Sequence, residues 1–105
     1  MLSTVITAHN EGDELRRTVG SVCESADADG CEIVVVDDGS TDGSCDSLEQ
    51  TAVRLIRHRE RHGVAKSRNA GAAAASGSAI AFLDGHQRLS PRCLQRCARL
   101  ALARC

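Results

Sequence analysis

Tryptophan and tyrosine are absent from this 105-residue chain, which carries one phenylalanine. Modules that read single-stranded nucleic acid stack bases on such rings, so that class is not expected and no nucleic-acid partner is expected. Any core must be built from Val, Ile, Leu, Ala and Cys. No apolar run reaches the length of roughly 18 residues that a membrane-spanning helix needs. Met1 leads straight into "LSTVITA", without the charged and apolar regions and cleavage site of a secretory signal. The six cysteines therefore read as reduced thiols of a cytoplasmic protein. There is no Cys-x-x-Cys pair, and Cys93 and Cys97, one helical turn apart, read as small buried thiols rather than zinc ligands.

Charge is scarce only in sum. The net charge is −1, yet residues 1–50 hold twelve acids and two bases, and residues 51–105 hold two acids and eleven bases. The basic half suits a phosphorylated ligand or an anionic membrane surface, and the overall balance argues against long nucleic acid.

Four short apolar runs, Leu2–Ala8, Cys31–Val36, Ala52–Ile56 and Ser78–Leu83, are each followed by a polar or Gly-containing turn and a helix-like stretch. This is βα alternation. "EIVVVDD" is apolar without alternation, as befits a strand covered on both faces of a parallel sheet. Glu11–Cys23 places Leu15, Val19 and Val22 at helical spacing, with acids in the first turn. "DGSTDGS" offers a turn and N-cap candidates for a second helix. Gly63–Ser76 predicts a third, whose "AGAAAASG" permits close approach to a sheet. A last helix is expected at "SPRC", capped by Ser90 with Pro91 in its first position. The expected fold is α/β: a Rossmann-like three-layer sandwich with a mostly parallel sheet of about four strands in one domain. Ligands of such folds bind at the carboxyl ends of the strands.

Those ends carry Thr7–Glu11, Asp37–Thr41 and Asp84–His86. Asp84 and His86 are two apart, so in extended chain both leave the same face and can reach one cation. Carboxylate plus imidazole suits manganese better than magnesium, which prefers oxygen ligands. The bland alternative makes Asp84 a turn cap and His86 an exposed side chain. Of Asp37 and Asp38 only one can face the cleft, where a carboxylate can accept the imide N–H of uracil. The other is left to the turn. Thr7, His9, Asn10 and Glu11 offer hydroxyl, imidazole, amide and carboxylate groups to a base or ribose, although Glu11 serves equally as a first-turn helix acid. Arg68 is either a phosphate partner over the cleft or an exposed helix residue. "RLIRHRERHG", Arg54–Gly63, reads as a solvated basic loop, and the Arg92, Arg96 and Arg99 stripe as surface open to peripheral membrane contact.

In order, "TVITAHNEGDELRRTVGSV", "EIVVVDDGSTDGS" and "HGVAKSRNAGAAAASGSAIAFLDGH", followed by a Pro-started helix, resemble the nucleotide-sugar-binding half of family-2-type glycosyltransferases with the GT-A fold. "ITAHNE" and the DGH variant of the Asp-x-Asp motif are similar to the polypeptide N-acetylgalactosaminyltransferases and their bacterial relatives. That resemblance implies a UDP-sugar donor and a divalent metal, Mn2+ before Mg2+. It implies that Thr7, His9, Glu11, Asp38 and Arg68 contact the nucleotide sugar and that Asp84 and His86 hold the metal. Thr7 stands where many members carry proline. Family catalytic domains continue into an acceptor-binding half that supplies further ligands, so residues 1–105 are expected to be one partial domain, with Asp84 on an edge strand and the acceptor unspecified. A non-catalytic nucleotide-sugar-binding or partner-binding module is the alternative. A receiver domain fits less well, because its acidic pair would follow the first strand, not the second.

Overall fold

The computed structural model describes residues 2–25 and 31–86. The expected last helix from Ser90, the Arg92, Arg96 and Arg99 stripe and the Cys93–Cys97 pair lie outside the described residues. In chain order the elements are β1 (Leu2–Ala8), α1 (Asp13–Ser25), β2 (Cys31–Asp38), a short 3-10 helix (Asp46–Gln50), β3 (Arg54–His58), α2 (Val64–Ala74) and β4 (Ala79–Asp84). The four strands form one parallel sheet in the order β3-β2-β1-β4. Among the described residues β4 and β3 are its edges.

Strand alternation divides the side chains between two layers. On one face Leu2, Ile6, Ala8 and Val35 pack with Leu15, Val19 and Val22 of α1 and with Cys45 and Leu48 around the 3-10 helix. On the other, Val5, Val34 and Val36 form a second cluster with Ile56 and with Ala74 of α2. Every residue of β1 is buried, as its central place between two parallel neighbours requires. Gly71 is the device that brings α2 down onto the sheet: a Cβ there would lie 2.3 Å from Val5 Cγ1 and 3.1 Å from Val36 Cγ2.

Two expected elements need correction. The third strand runs from Arg54 to His58 rather than Ala52 to Ile56, which also places the first half of the supposed basic loop in the sheet. The shift puts Arg57 opposite Asp37 and His58 opposite Asp38 in the parallel ladder. Arg57 Nε donates to Asp37 at 3.2 Å, and its other nitrogens reach Asp46 and Glu49. Charge pairing, which a local apolar count cannot register, fixes this edge strand. The helix expected after "DGSTDGS" is only the five-residue 3-10 helix. Its approach is absorbed by turns, with Gly43 at φ 74 and the Asp42 carboxylate taking the N–H groups of Gly12 and Ser44.

Candidate donor-binding site

A pocket of about 230 Å³ opens at the carboxyl ends of the strands. It is lined by Thr7, Ala8, His9, Glu11, Asp38, Arg61, Val64, Ser67, Asp84 and His86. Thr7, Asp38 and Asp84 end adjacent strands on the α2 face, and β1 pairs Thr7 with Asp84 in register.

The acidic pair at the end of β2 divides as alternation demands. Asp37 turns to the α1 layer, where its Oδ1 accepts the Ser40 N–H at 2.9 Å and Arg57 holds its other oxygen. Burial opposes its ionisation, but the Ser40 and Arg57 donors win and lower its pKa. The same buried site pushes the Cys45 thiol up to about 12, through desolvation first and the Asp37 charge second. Asp38 faces the pocket, yet it is 4% exposed and already engaged. Its Oδ1 accepts His58 Nδ1–H at 3.1 Å and the His62 N–H at 2.8 Å, and its Oδ2 accepts the Gly63 N–H at 2.9 Å. Burial alone would raise its pKa; the His62 N–H, the His58 ring and the Gly63 N–H outweigh it and hold Asp38 at about 2. A carboxylate has about four acceptor positions, so these contacts leave at most one for a ligand.

Glu11 precedes α1 instead of opening it, and its carbonyl accepts the Glu14 N–H at 3.2 Å. Its carboxylate lies 3.4 Å from His86 Nδ1. The strand ends at Asp84, so Asp84 and His86 are not successive same-face residues of extended chain as expected. Instead Gly85 turns between them: its N–H donates to the Thr7 carbonyl at 2.8 Å, and its own carbonyl accepts the hydroxyl of buried Thr18 at 3.0 Å. Both side chains still line the one pocket. Asp84 Oδ1 accepts the Thr7 hydroxyl at 3.5 Å and pairs with Arg68 Nη2 at 3.6 Å. Arg68 also lies 6.0 Å from the centre of the Phe82 ring. Arg68 flanks the pocket through Asp84 and is not itself among the lining residues.

Asn10, expected as a ligand-facing amide, instead uses its Oδ1 to accept the N–H groups of Thr41 at 2.7 Å and Asp42 at 3.2 Å. It stitches two loops together. Arg61, assigned to a solvated loop, lines the pocket because the β3–α2 turn packs directly on Gly39. A Cβ at Gly39 would come within 2.8 Å of both the Arg61 nitrogen and the Glu60 carbonyl carbon. No sequence spacing announces that contact.

Among the described residues no group of three or more His, Cys, Asp or Glu side chains is arranged to hold a metal ion. Nor, among them, is any helix long and apolar enough to cross a membrane.

A doubly covered parallel sheet with a pocket at its carboxyl edge, bordered by Thr, His, Asp and Glu side chains, is the architecture of α/β domains that bind ligands at that edge. Residues 3–104 match Glycosyl transferase family 2, and the chain belongs to that family. It is 39% identical over 100 residues to the uncharacterized glycosyltransferase alr2836 of Nostoc sp., covering 90% of this chain and 31% of that one. It is 41% identical over 92 residues to polypeptide N-acetylgalactosaminyltransferase 6 of Mus musculus, covering 80% of this chain and 15% of the relative. The chain thus spans less than a third of the length of either. The fold is that of S. aureus TarS, solved in complex with UDP-GlcNAc, at a TM-score of 0.86 and 21% identity over 97% of this chain and 31% of that one. The mannosyltransferase PcManGT of Pyrobaculum calidifontis, in complex with GDP-Man and Mn2+, superposes at a TM-score of 0.78 with 23% identity, over 87% of this chain and 29% of that one.

Proposed function

We propose that residues 1–105 form the donor-binding domain of a sugar-transferring enzyme that takes a UDP-sugar together with a divalent cation, Mn2+ in preference to Mg2+. The observation that carries this reading is the convergence of Thr7, His9, Glu11, Asp38, Asp84 and His86 on one pocket at the carboxyl ends of the sheet. The UDP-GlcNAc complex of TarS and the Mn2+ complex of PcManGT support it by analogy of fold.

The donor set fits a cation only in part. Asp84 and His86 would supply one carboxylate and one imidazole, and a cation would need, besides the donor diphosphate and water, at least one further protein ligand. A bound divalent ion would supply charge stabilisation for the departing nucleoside diphosphate. This chain's own residues prepare that end of the pocket. Thr18 and Thr7 fix the Gly85 backbone, and Thr7 orients Asp84. Arg68 pairs with Asp84 at 3.6 Å, which supports its assignment as the group that turns its guanidinium toward a donor phosphate. At the opposite end Asp38 anchors the β3–α2 turn and keeps one acceptor position for the uracil imide, while Thr7, His9 and Glu11 border the nucleoside.

Titrating Mn2+ into the UDP-bound chain, followed by electron paramagnetic resonance, tests the assignment. Loss of bound Mn2+ in both Asp84→Ala and His86→Ala, each still folded by circular dichroism, is the expected outcome. Undiminished Mn2+ binding in either variant would remove that residue from the metal site.

A further inference from the structure

Glu11 sits on a loop whose direction is fixed from both sides. The residues flanking it, Asn10 at φ 50° and Gly12 at φ 59°, both take the left-handed conformation, which marks a backbone held by its surroundings. The Asn10 N–H donates to Ser40 Oγ at 3.0 Å, the Asn10 Oδ1 holds the Thr41 and Asp42 N–H groups, and the Gly12 N–H donates to Asp42 Oδ2 at 3.0 Å. The loop so pinned lays the Glu11 side chain across the turn that follows β4. A Cβ on residue 85 would lie 2.9 Å from Glu11 Cγ, 3.1 Å from the Thr7 carbonyl oxygen and 3.3 Å from Ala8 Cβ, so the turn has room for the Glu11 stem because Gly85 carries no side chain. From that seat Glu11 Oε2 comes to 3.4 Å from His86 Nδ1.

The two side chains differ in freedom: that of Glu11 is 20% exposed and that of His86 60%. A pair this open adds little to stability. What it supplies is direction. An imidazole that turns Nδ1 to a carboxylate has Nε2 on the far side of the ring, and a histidine that meets a cation is commonly steered by an acidic partner at its other nitrogen. Both residues line the one pocket. We infer that Glu11 is a positioning residue for His86: braced on Gly85, its carboxylate holds the ring with Nδ1 toward it and Nε2 offered to a cation in the pocket. The role for the cation rests on the donor-binding reading, whereas the orientation of the ring does not.

Nuclear magnetic resonance of the free chain, without UDP or metal, reads the ring through the Hα–Hβ couplings of His86 and the Overhauser contact between its Hε1 and the Glu11 methylenes. The wild type is expected to show one χ1 rotamer with Hε1 against Glu11. Glu11→Gln, which keeps the stem and one acceptor oxygen, should do the same. Glu11→Ala is expected to average the rotamers. Electron paramagnetic resonance of Mn2+ added to the UDP-bound chain reads the consequence. Mn2+ affinity should fall roughly tenfold in Glu11→Ala, the lower end of what such partners contribute, and return to within about threefold of the wild type in Glu11→Gln. Averaged couplings in the wild type, a ring that sets Hδ2 rather than Hε1 against Glu11, or couplings unmoved by Glu11→Ala would overturn the inference. A loss of Mn2+ in Glu11→Gln as large as in Glu11→Ala would overturn the positioning role, since a charge acting directly on the cation would then be the working part. A wild-type chain that binds UDP but no Mn2+ would instead sink the cation reading, together with the ligand half of this proposal, while the couplings still decide the orientation of the ring.

Discussion

Replacing Asp38 by asparagine perturbs the joint between β2 and the β3–α2 turn, and the structure sets the size of the effect. The carboxylate is 4% exposed and its pKa is lowered from 3.8 to about 2, despite burial, by the His62 and Gly63 N–H groups and the His58 ring. At 1.36 kcal/mol for each pKa unit, that depression is equivalent to about 2 kcal/mol of folded-state stabilisation. The sign follows from the direction. A carboxyl whose folded pKa lies below its unfolded value stabilises the fold fully above about pH 4, and that contribution is lost as the pH falls toward about 2. Asparagine keeps one acceptor oxygen but turns an NH2 against a backbone N–H. At neutral pH, Asp38→Asn should therefore cost about 2 kcal/mol, or roughly ten degrees in melting temperature for a domain of this size. Urea unfolding of wild type and variant across a pH series measures it. The gap between them should narrow as the pH drops from 5 toward about 2.5. A gap that is the same at both ends, or a variant as stable as the wild type at neutral pH, would refute the reasoning.

Other consequences follow from the packing. Gly71→Ala should destabilise the fold by about 1–3 kcal/mol, because its Cβ would meet Val5 Cγ1 at 2.3 Å, even though alanine is the better helix former. A melting temperature that rises in this variant would show that α2 does not sit as closely on the sheet as described. The Cys45 thiol, buried and pushed up to about 12, should resist iodoacetamide at pH values up to about 9 in the folded chain, while exposed Cys23 reacts. Peptide mapping by mass spectrometry reads both sites, and equal labelling of the two would contradict the burial.

What could be read in advance was what depends on local pattern. β1 runs from Leu2 to Ala8 as expected, because an uninterrupted apolar run ending at a polar loop has few other meanings. The small-residue face of α2 likewise implied the close approach that Gly71 makes. The division of labour between Asp37 and Asp38 followed from strand alternation, although spacing alone did not say which faced the pocket. The misses share a cause, which is partnership across the chain. Arg57 and His58 belong to β3 because Asp37 and Asp38 wait opposite them, twenty residues earlier in sequence. Asn10 belongs to the loop around Thr41, and Arg61 reaches the pocket only because Gly39 lets two backbones touch. Gly85 turns the Asp84–His86 pair out of extended geometry through bonds to Thr7 and Thr18, from two other elements.

The most direct test of the central claim is calorimetric titration of UDP into the folded chain, with and without Mn2+, on the wild type and on Asp84→Ala. The account predicts UDP binding that is strengthened by Mn2+ in the wild type and loses that enhancement in Asp84→Ala. A folded wild-type chain that binds no UDP, or binds it equally well with and without Mn2+, would contradict the account.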